Sequence, residues 1–202
     1  MGRFSQAISE GDGISIVPVL EGDVAELASI AENAGAEAVA VRRRSDGESA
    51  RSSTGLPVLM LALEAEAAAS VAEIADACLV PFERFAEDGT LEGAHATLLE
   101  HGVDCLIEVR DEEELEEALE RIDPEIILIT ERDTDEDEED LERTLDLLPS
   151  VPAGKLVVSE SRVTVREQVV ALERAGVDAM LVGTEVFRTT DFSAALAELT
   201  GR

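Results

Sequence analysis

The sequence predicts a closed (β/α)8 barrel of the TIM type. Short apolar runs alternate with helix-like segments along the chain, the pattern of parallel strands joined by helical crossovers. Eight such runs can be counted in 202 residues, close to the lower limit for closure. The later runs end in polar tips, as in Leu106–Asp111, Ile127–Asp133, Leu156–Ser161 and Met180–Thr184. Ligands of such folds gather at the carboxyl ends of the strands. The competing architecture, an open doubly wound sheet, calls for a Gly-rich turn after strand one. Val19-Leu-Glu-Gly-Asp23 holds one glycine.

Residues 1–13 are polar and contain glycine, so they are expected as a flexible lead-in, with the barrel domain over 14–202. Strand one is Ile14–Val19. Asp23 caps a helix that runs to about Ala34, and Gly35 stops it. Strand two is Ala38–Val41. The Ser/Gly/Arg-rich stretch that follows, Arg42 to Gly55, predicts a short or missing second helix. That would bare apolar barrel wall between strands two and three, a contact surface for a homodimer or another protein partner. Strand three is Pro57–Leu63, with an Ala/Glu-rich helix near 64–75. Strand four is Ala77–Phe82, and Leu91–His101 is helical and closed by Gly102. Strand five is Cys105–Val109, followed by a Glu/Leu helix over 112–121. Strand six is Glu125–Thr130, and the acid run Asp133–Asp140 leads into a helix ending at Leu148. Strand seven is Leu156–Ser159, Val165–Ala175 is helical, strand eight is Ala179–Val182, and Phe192–Leu199 closes the chain.

Composition narrows the function. Forty-six acids against 16 bases give a net charge of −30, which repels nucleic acid and anionic membranes. Fifteen of the bases are arginine, and Lys155 is the only lysine. Such a balance suits an acidic, halophilic, cytoplasmic protein, because a Debye length near ~3 Å in molar salt screens self-repulsion; the alternative is a mesophilic acidic protein with a charged partner surface. No apolar run approaches the roughly 20 residues of a membrane span. Cys78 and Cys105 fall in apolar strands and read as small core residues. His95 and His101 are six apart, which does not match the i, i+4 spacing of a zinc helix. Asp133–Asp140 lacks the glycine and spacing of a calcium loop. The sequence calls for no metal and no cofactor.

The strand tips, taken in order, carry a resemblance. Leu106-Ile-Glu-Val-Arg-Asp-Glu-Glu-Glu-Leu115, Glu131-Arg-Asp133, Val158-Ser-Glu-Ser161 and Ala175-Gly-Val-Asp-Ala-Met-Leu-Val-Gly-Thr184 resemble the fifth to eighth units of indole-3-glycerol phosphate synthase, a phosphate-binding barrel of tryptophan biosynthesis. Leu56-Pro-Val-Leu59 is similar to the start of its third strand. The likeness is good from about 104 to 188 and weak before 56. It implies a carbon–carbon lyase that closes an indole ring with loss of carbon dioxide and water, using a proton donor and a base.

Carried over position by position, the resemblance breaks at the donors. The strand-one Glu-x-Lys falls on Ile16 and Pro18, the strand-three Arg-Lys-Asp on Met60, Leu61 and Ala62, and the strand-six asparagine on Thr130. Arg162 replaces the glycine after Glu-Ser, and the family's N-terminal extension is expected to be absent. Ile, Pro, Leu and Met neither give nor accept a proton. Glu108, the family's strand-five base, and Glu160 remain as candidate catalytic groups. Arg42, Arg132 and Arg162, from a set of eight arginines at strand ends, form the candidate anion seat together with Ser161, Gly183 and Thr184. The expected ligand is a phosphorylated or carboxylated small molecule. Two functions follow: a degenerate homologue that binds such a metabolite or serves a structural or regulatory role, or a lyase that still works through Glu108 and Glu160.

Overall fold

The computed structural model describes residues 1–11, 13–61, 68–87, 89–130, 141–161, 163, 165–187 and 191–201. They form eight parallel strands: β1 Ser15–Pro18, β2 Val39–Val41, β3 Val58–Met60, β4 Ala77–Pro81, β5 Asp104–Val109, β6 Ile126–Thr130, β7 Leu156–Glu160 and β8 Ala179–Val182. The strand order is β1-β8-β7-β6-β5-β4-β3-β2. A parallel bridge between Val19 and Ala40 joins the two ends of that ladder, and Leu20 N–H donates to Ala40 O at 2.8 Å. The sheet is therefore a closed (β/α)8 TIM barrel, not the open alternative.

The helices are α1 Arg3–Ser9, α2 Val24–Asn33, α3 Arg44–Ser53, α4 Ala68–Val71, α5 Phe82–Phe85, α6 Thr90–Glu100, α7 Glu112–Ile122, α8 Glu142–Leu147, α9 Arg166–Ala175 and α10 Phe192–Thr200. Their ends follow local chemistry. Asp23, Asp111 and Asp191 each accept a backbone N–H three residues on and so cap α2, α7 and α10. Gly176, at φ 105°, takes the left-handed turn that ends α9.

Alternation along the strands sorts their side chains into two cores. Val17, Ala40, Leu59, Leu79, Leu106, Leu128, Val158 and Leu181, one from each strand, fill the lumen. Their neighbours, such as Ile16, Val39, Val58, Cys105, Ile127 and Met180, pack outward against helical residues that include Leu91, Leu115 and Leu172. Strands buried on both faces read as continuous apolar runs, which is why all eight were visible in the sequence.

Two expectations need correction. The stretch after β2 is not a thin spot: α3 spans 10 residues. Its contact face consists of buried Gly47 and Ala50. A Cβ on Gly47 would lie 3.2 Å from Ile74 O and 3.4 Å from Met60 Cε. The helix thus lies close on the wall with small residues, and a helix that packs this way needs no apolar stripe. Val39, Val41, Val58 and Met60 are buried, so the bare wall expected as a contact surface is covered.

The lead-in expected to be loose contains α1. Phe4 and Ile8, one turn apart, are buried in the lumen core, so the helix stoppers the N-terminal end of the barrel. Asp104 at the start of β5 accepts from Gly2 N at 3.0 Å and Ser5 N at 2.8 Å. Arg3 ties the same helix to Asp76 at 3.3 Å.

Acids also fix strand register at this end. Glu37, Asp76 and Asp178 precede β2, β4 and β8. Their carboxylates accept from Ile16 N at 3.2 Å, Val58 N at 2.9 Å and Val157 N at 2.7 Å in β1, β3 and β7.

Candidate functional site at the barrel mouth

Continuing the alternation by two residues gives the last inward position of each strand. These are Val19, Arg42, Leu61, Pro81, Glu108, Thr130, Glu160 and Gly183. Four carry polar side chains, and they come from β2, β5, β6 and β7. Glu108 and Glu160 are thus at inward tip positions.

Glu108 is 7% exposed and pairs in register with Pro81 on one side and Leu128 on the other. Glu160 pairs in register with Thr130, whose hydroxyl donates to Glu160 Oε2 at 3.3 Å. Arg42 Nη2 is 3.9 Å from Glu160 Oε1, and Arg42 Nε is 3.7 Å from Glu21 Oε1. Arg42 is nearly half exposed, so a partner at these distances is held loosely. One guanidinium and two carboxylates thus share the mouth with a threonine hydroxyl.

The other arginines divide. Arg44 binds Glu73 at 2.8 Å and Glu48 at 3.3 Å. Arg110 binds Glu83 at 2.8 Å and Glu114 at 2.6 Å. Both reach carboxylates on their own or the neighbouring helical units. Arg132 and Arg162 lie outside the described residues, as does Arg188. Gly183 and Thr184 stand at the end of β8, where a short 3-10 turn, Thr184–Phe187, begins.

Ser161 is buried, and its hydroxyl is 2.6 Å from that of Ser159 and 3.5 Å from that of Thr144 in α8. Ser159 and Thr144 are themselves 3.0 Å apart. Sequence reading missed Thr144, because α8 follows an acid run and carries no recognisable motif. The one available signal was the Ser-Glu-Ser spelling of the β7 tip, which sends two hydroxyls to the same outer face.

The geometry also moves one register. Ile16 belongs to the outer core, so Ile16 and Pro18 alternate away from the lumen, and the inward residues of β1 are Val17 and Val19. In β3, Leu61 faces inward. Lys155 lies before β7 and binds Asp123, which ends α7 ahead of β6, at 2.5 Å. It therefore belongs to the N-terminal end of the barrel. Among the described residues no group of three or more His, Cys, Asp or Glu could hold a metal ion. No described helix is long and apolar enough to cross a membrane.

Comparison with known proteins fits this arrangement. Residues 62–199 match the family model for indole-3-glycerol phosphate synthase. The chain is 37% identical over 110 residues to the indole-3-glycerol phosphate synthase of Geobacillus sp. (strain WCH70), a match covering 54% of this chain and 43% of that protein. It is 38% identical over 113 residues to the enzyme of Variovorax paradoxus (strain S110), covering 56% and 42%. The matches therefore span less than half the length of these relatives. Among solved structures, a mutant tryptophan synthase alpha-subunit from Pyrococcus furiosus superposes with TM-score 0.71 at 15% identity, covering 93% of this chain and 98% of that one. The N-acetylmannosamine-6-phosphate 2-epimerase of Clostridium perfringens gives 0.72 at 14%, covering 85% and 87%. Identities this low speak for the barrel alone. Because the family model spans more than half of the chain, the protein belongs to the indole-3-glycerol phosphate synthase family.

Proposed function

We propose that this chain binds a phosphorylated or carboxylated metabolite at the barrel mouth and does not perform the ring closure of its family. The observation that carries this reading is the innermost layer of the mouth. Where the family places proton donors, β1 offers Val17 and Val19 and β3 offers Leu61. None of these side chains can move a proton. The one lysine is at the far end of the barrel, bound to Asp123. Losing general acid catalysis costs about 10²–10⁴-fold in rate, and arginine replaces it poorly because its pKa exceeds about 12.

The anion reading rests on Arg42 at the mouth and on the backbone N–H groups at the β7 and β8 tips, at Ser161 and at Gly183–Thr184. Arg132 and Arg162 belong to the same seat by sequence position. The net charge of −30 fits a halophilic cytoplasm, and it makes a cationic spot the natural point of entry for an anion.

A second reading has one observation in its favour. Glu108 is held in the lumen at 7% exposure, where a desolvated carboxylate could serve as a base for a partial lyase reaction. Calorimetric titration in molar KCl with a carboxyphenylamino sugar phosphate, run alongside an indole-forming assay, separates the two. Binding without turnover is the expected result. Turnover that disappears in Glu108→Gln would establish the second reading instead, and the absence of binding would sink the first.

A further inference from the structure

We propose that Thr144 is a positioning residue for the mouth: from α8 it grips the β7 tip on both sides of Glu160 and so sets where that carboxylate points. The inference rests on the mouth being the ligand site. Glu160 is flanked in sequence by Ser159 and Ser161, whose side chains leave the strand on the face opposite to its own. Both hydroxyls meet the Thr144 hydroxyl, Ser159 at 3.0 Å and Ser161 at 3.5 Å, and they lie 2.6 Å from each other. Thr144 and Ser159 are fully buried, and Ser161 is 7% exposed.

Packing alone does not ask for hydroxyls here. The residues in register with Ser159 on the neighbouring strands are Ile129 and Met180, both in the outer apolar core. Burying three hydroxyls is costly unless they satisfy one another, and once satisfied they hold a single geometry. The preceding residue on α8 reinforces the grip. Arg143 Nη1 donates to Thr130 O at 3.4 Å, at the β6 tip whose hydroxyl donates to Glu160. The first turn of α8 therefore contacts the backbone of β6 and the flanks of Glu160 on β7, and the Thr130–Glu160 hydrogen bond spans the two.

The test compares Thr144→Val, Thr144→Ser, Glu160→Gln and the Thr144→Val/Glu160→Gln double variant with the unaltered chain. Affinity for the carboxyphenylamino sugar phosphate is read by calorimetry in molar KCl. Thr144→Val should weaken binding by about five- to tenfold, the size of one misplaced hydrogen bond. Thr144→Ser should recover most of it. In the Glu160→Gln background, Thr144→Val should change affinity by less than about twofold, because the coupled partner has gone. Equal losses in both backgrounds, or none in either, would overturn the assignment.

If the unaltered chain does not bind, the reading of the mouth fails, and the positioning role is decided by side-chain carboxylate NMR. The Glu160 resonance, assigned through Glu160→Gln, should shift in Thr144→Val. It should stay in place in Thr97→Val, which removes a hydroxyl bonded only within α6. A Glu160 resonance unmoved by Thr144→Val would overturn the proposal.

Discussion

The carboxylate of Asp104, at the floor of the barrel, accepts the N–H of Ser5 at 2.8 Å although 99 residues separate the two. It also accepts the N–H of Gly2. A β5 residue thus does for α1 what an N-cap side chain does within one helix, and its negative charge faces the positive end of the helix dipole. Asp104→Ala should lower stability by about 2–4 kcal/mol, since it strands the buried N–H of Ser5 and the part-buried N–H of Gly2, which a charged acceptor had satisfied. Phe4→Ala should cost about 3–5 kcal/mol through the cavity left in the lumen. Denaturant titration at fixed high salt checks both. A change below about 0.5 kcal/mol in either would mean that α1 is not a structural stopper.

Gly47 lets α3 lie on β3. Gly47→Val should destabilise by about 1–3 kcal/mol, because the new side chain must push against Ile74 O and Met60. Gly93, on α6, has open space where a Cβ would go, so Gly93→Ala should be neutral or slightly stabilising. Unfolding midpoints of the two variants, compared in one buffer, decide the matter.

Cys78 and Cys105 stand in register on β4 and β5, both buried and both reduced. Burial pushes the Cys78 thiol up to about 12 and raises that of Cys105 as well. Thiolate, the reactive form, is therefore scarce at neutral pH. Neither thiol should react with an aromatic disulfide reagent in the folded protein, and both should react at once in denaturant. Stoichiometric labelling of the native chain would contradict this burial.

Glu92 is bound by Arg121 at 2.7 Å, and that hydrogen bond holds its carboxyl down at about 2, below its ordinary value of 4.5. A carboxyl lowered on folding binds fewer protons in the native state than in the unfolded one. Its stabilising share is complete above about 4.5 and is lost as pH falls toward 2. Acid unfolding curves of the native chain and of Glu92→Gln should therefore lie apart at pH 6 or so and converge toward the bottom of that window. Parallel curves throughout would argue against the pairing.

The strands were legible because burial on both faces leaves no polar alternation, as in Ile126–Thr130. The caps were legible because Asp23 and Gly35 have one conformational use each at a helix end. Three helices were not. The single turn of α5, Phe82–Phe85, follows β4 directly, and Phe82 reads in the sequence as the end of that strand. In α3 the packing face is Gly47 and Ala50, too small to raise a hydrophobic period. In α1 it is Phe4 and Ile8, one pair within a polar stretch whose burial depends on a cavity formed by eight distant strands. The candidate site was legible as far as strand tips name it, which covers Glu108, Glu160 and Arg42. Which face a tip residue takes is not legible in β1, where Ile16 and Val17 are both apolar and the pattern cannot tell lumen from helix layer. The contribution of Thr144 is a long-range contact, and local periodicity carries no trace of it.

The single Val19–Ala40 bridge has a mechanical meaning. Every other pair of neighbouring strands shares from two to five paired residues, so the cylinder is a rolled ribbon stitched once along its seam. The backbone there contributes little to closure, and the seam is covered by helices that pack on one another, α10 against β1, α3 against β2, and α2 between α10 and α3. Arg42 reaches Glu21 across that same seam, so this ion pair at the mouth also spans the join. A molecule held there would act on the wall of its own container.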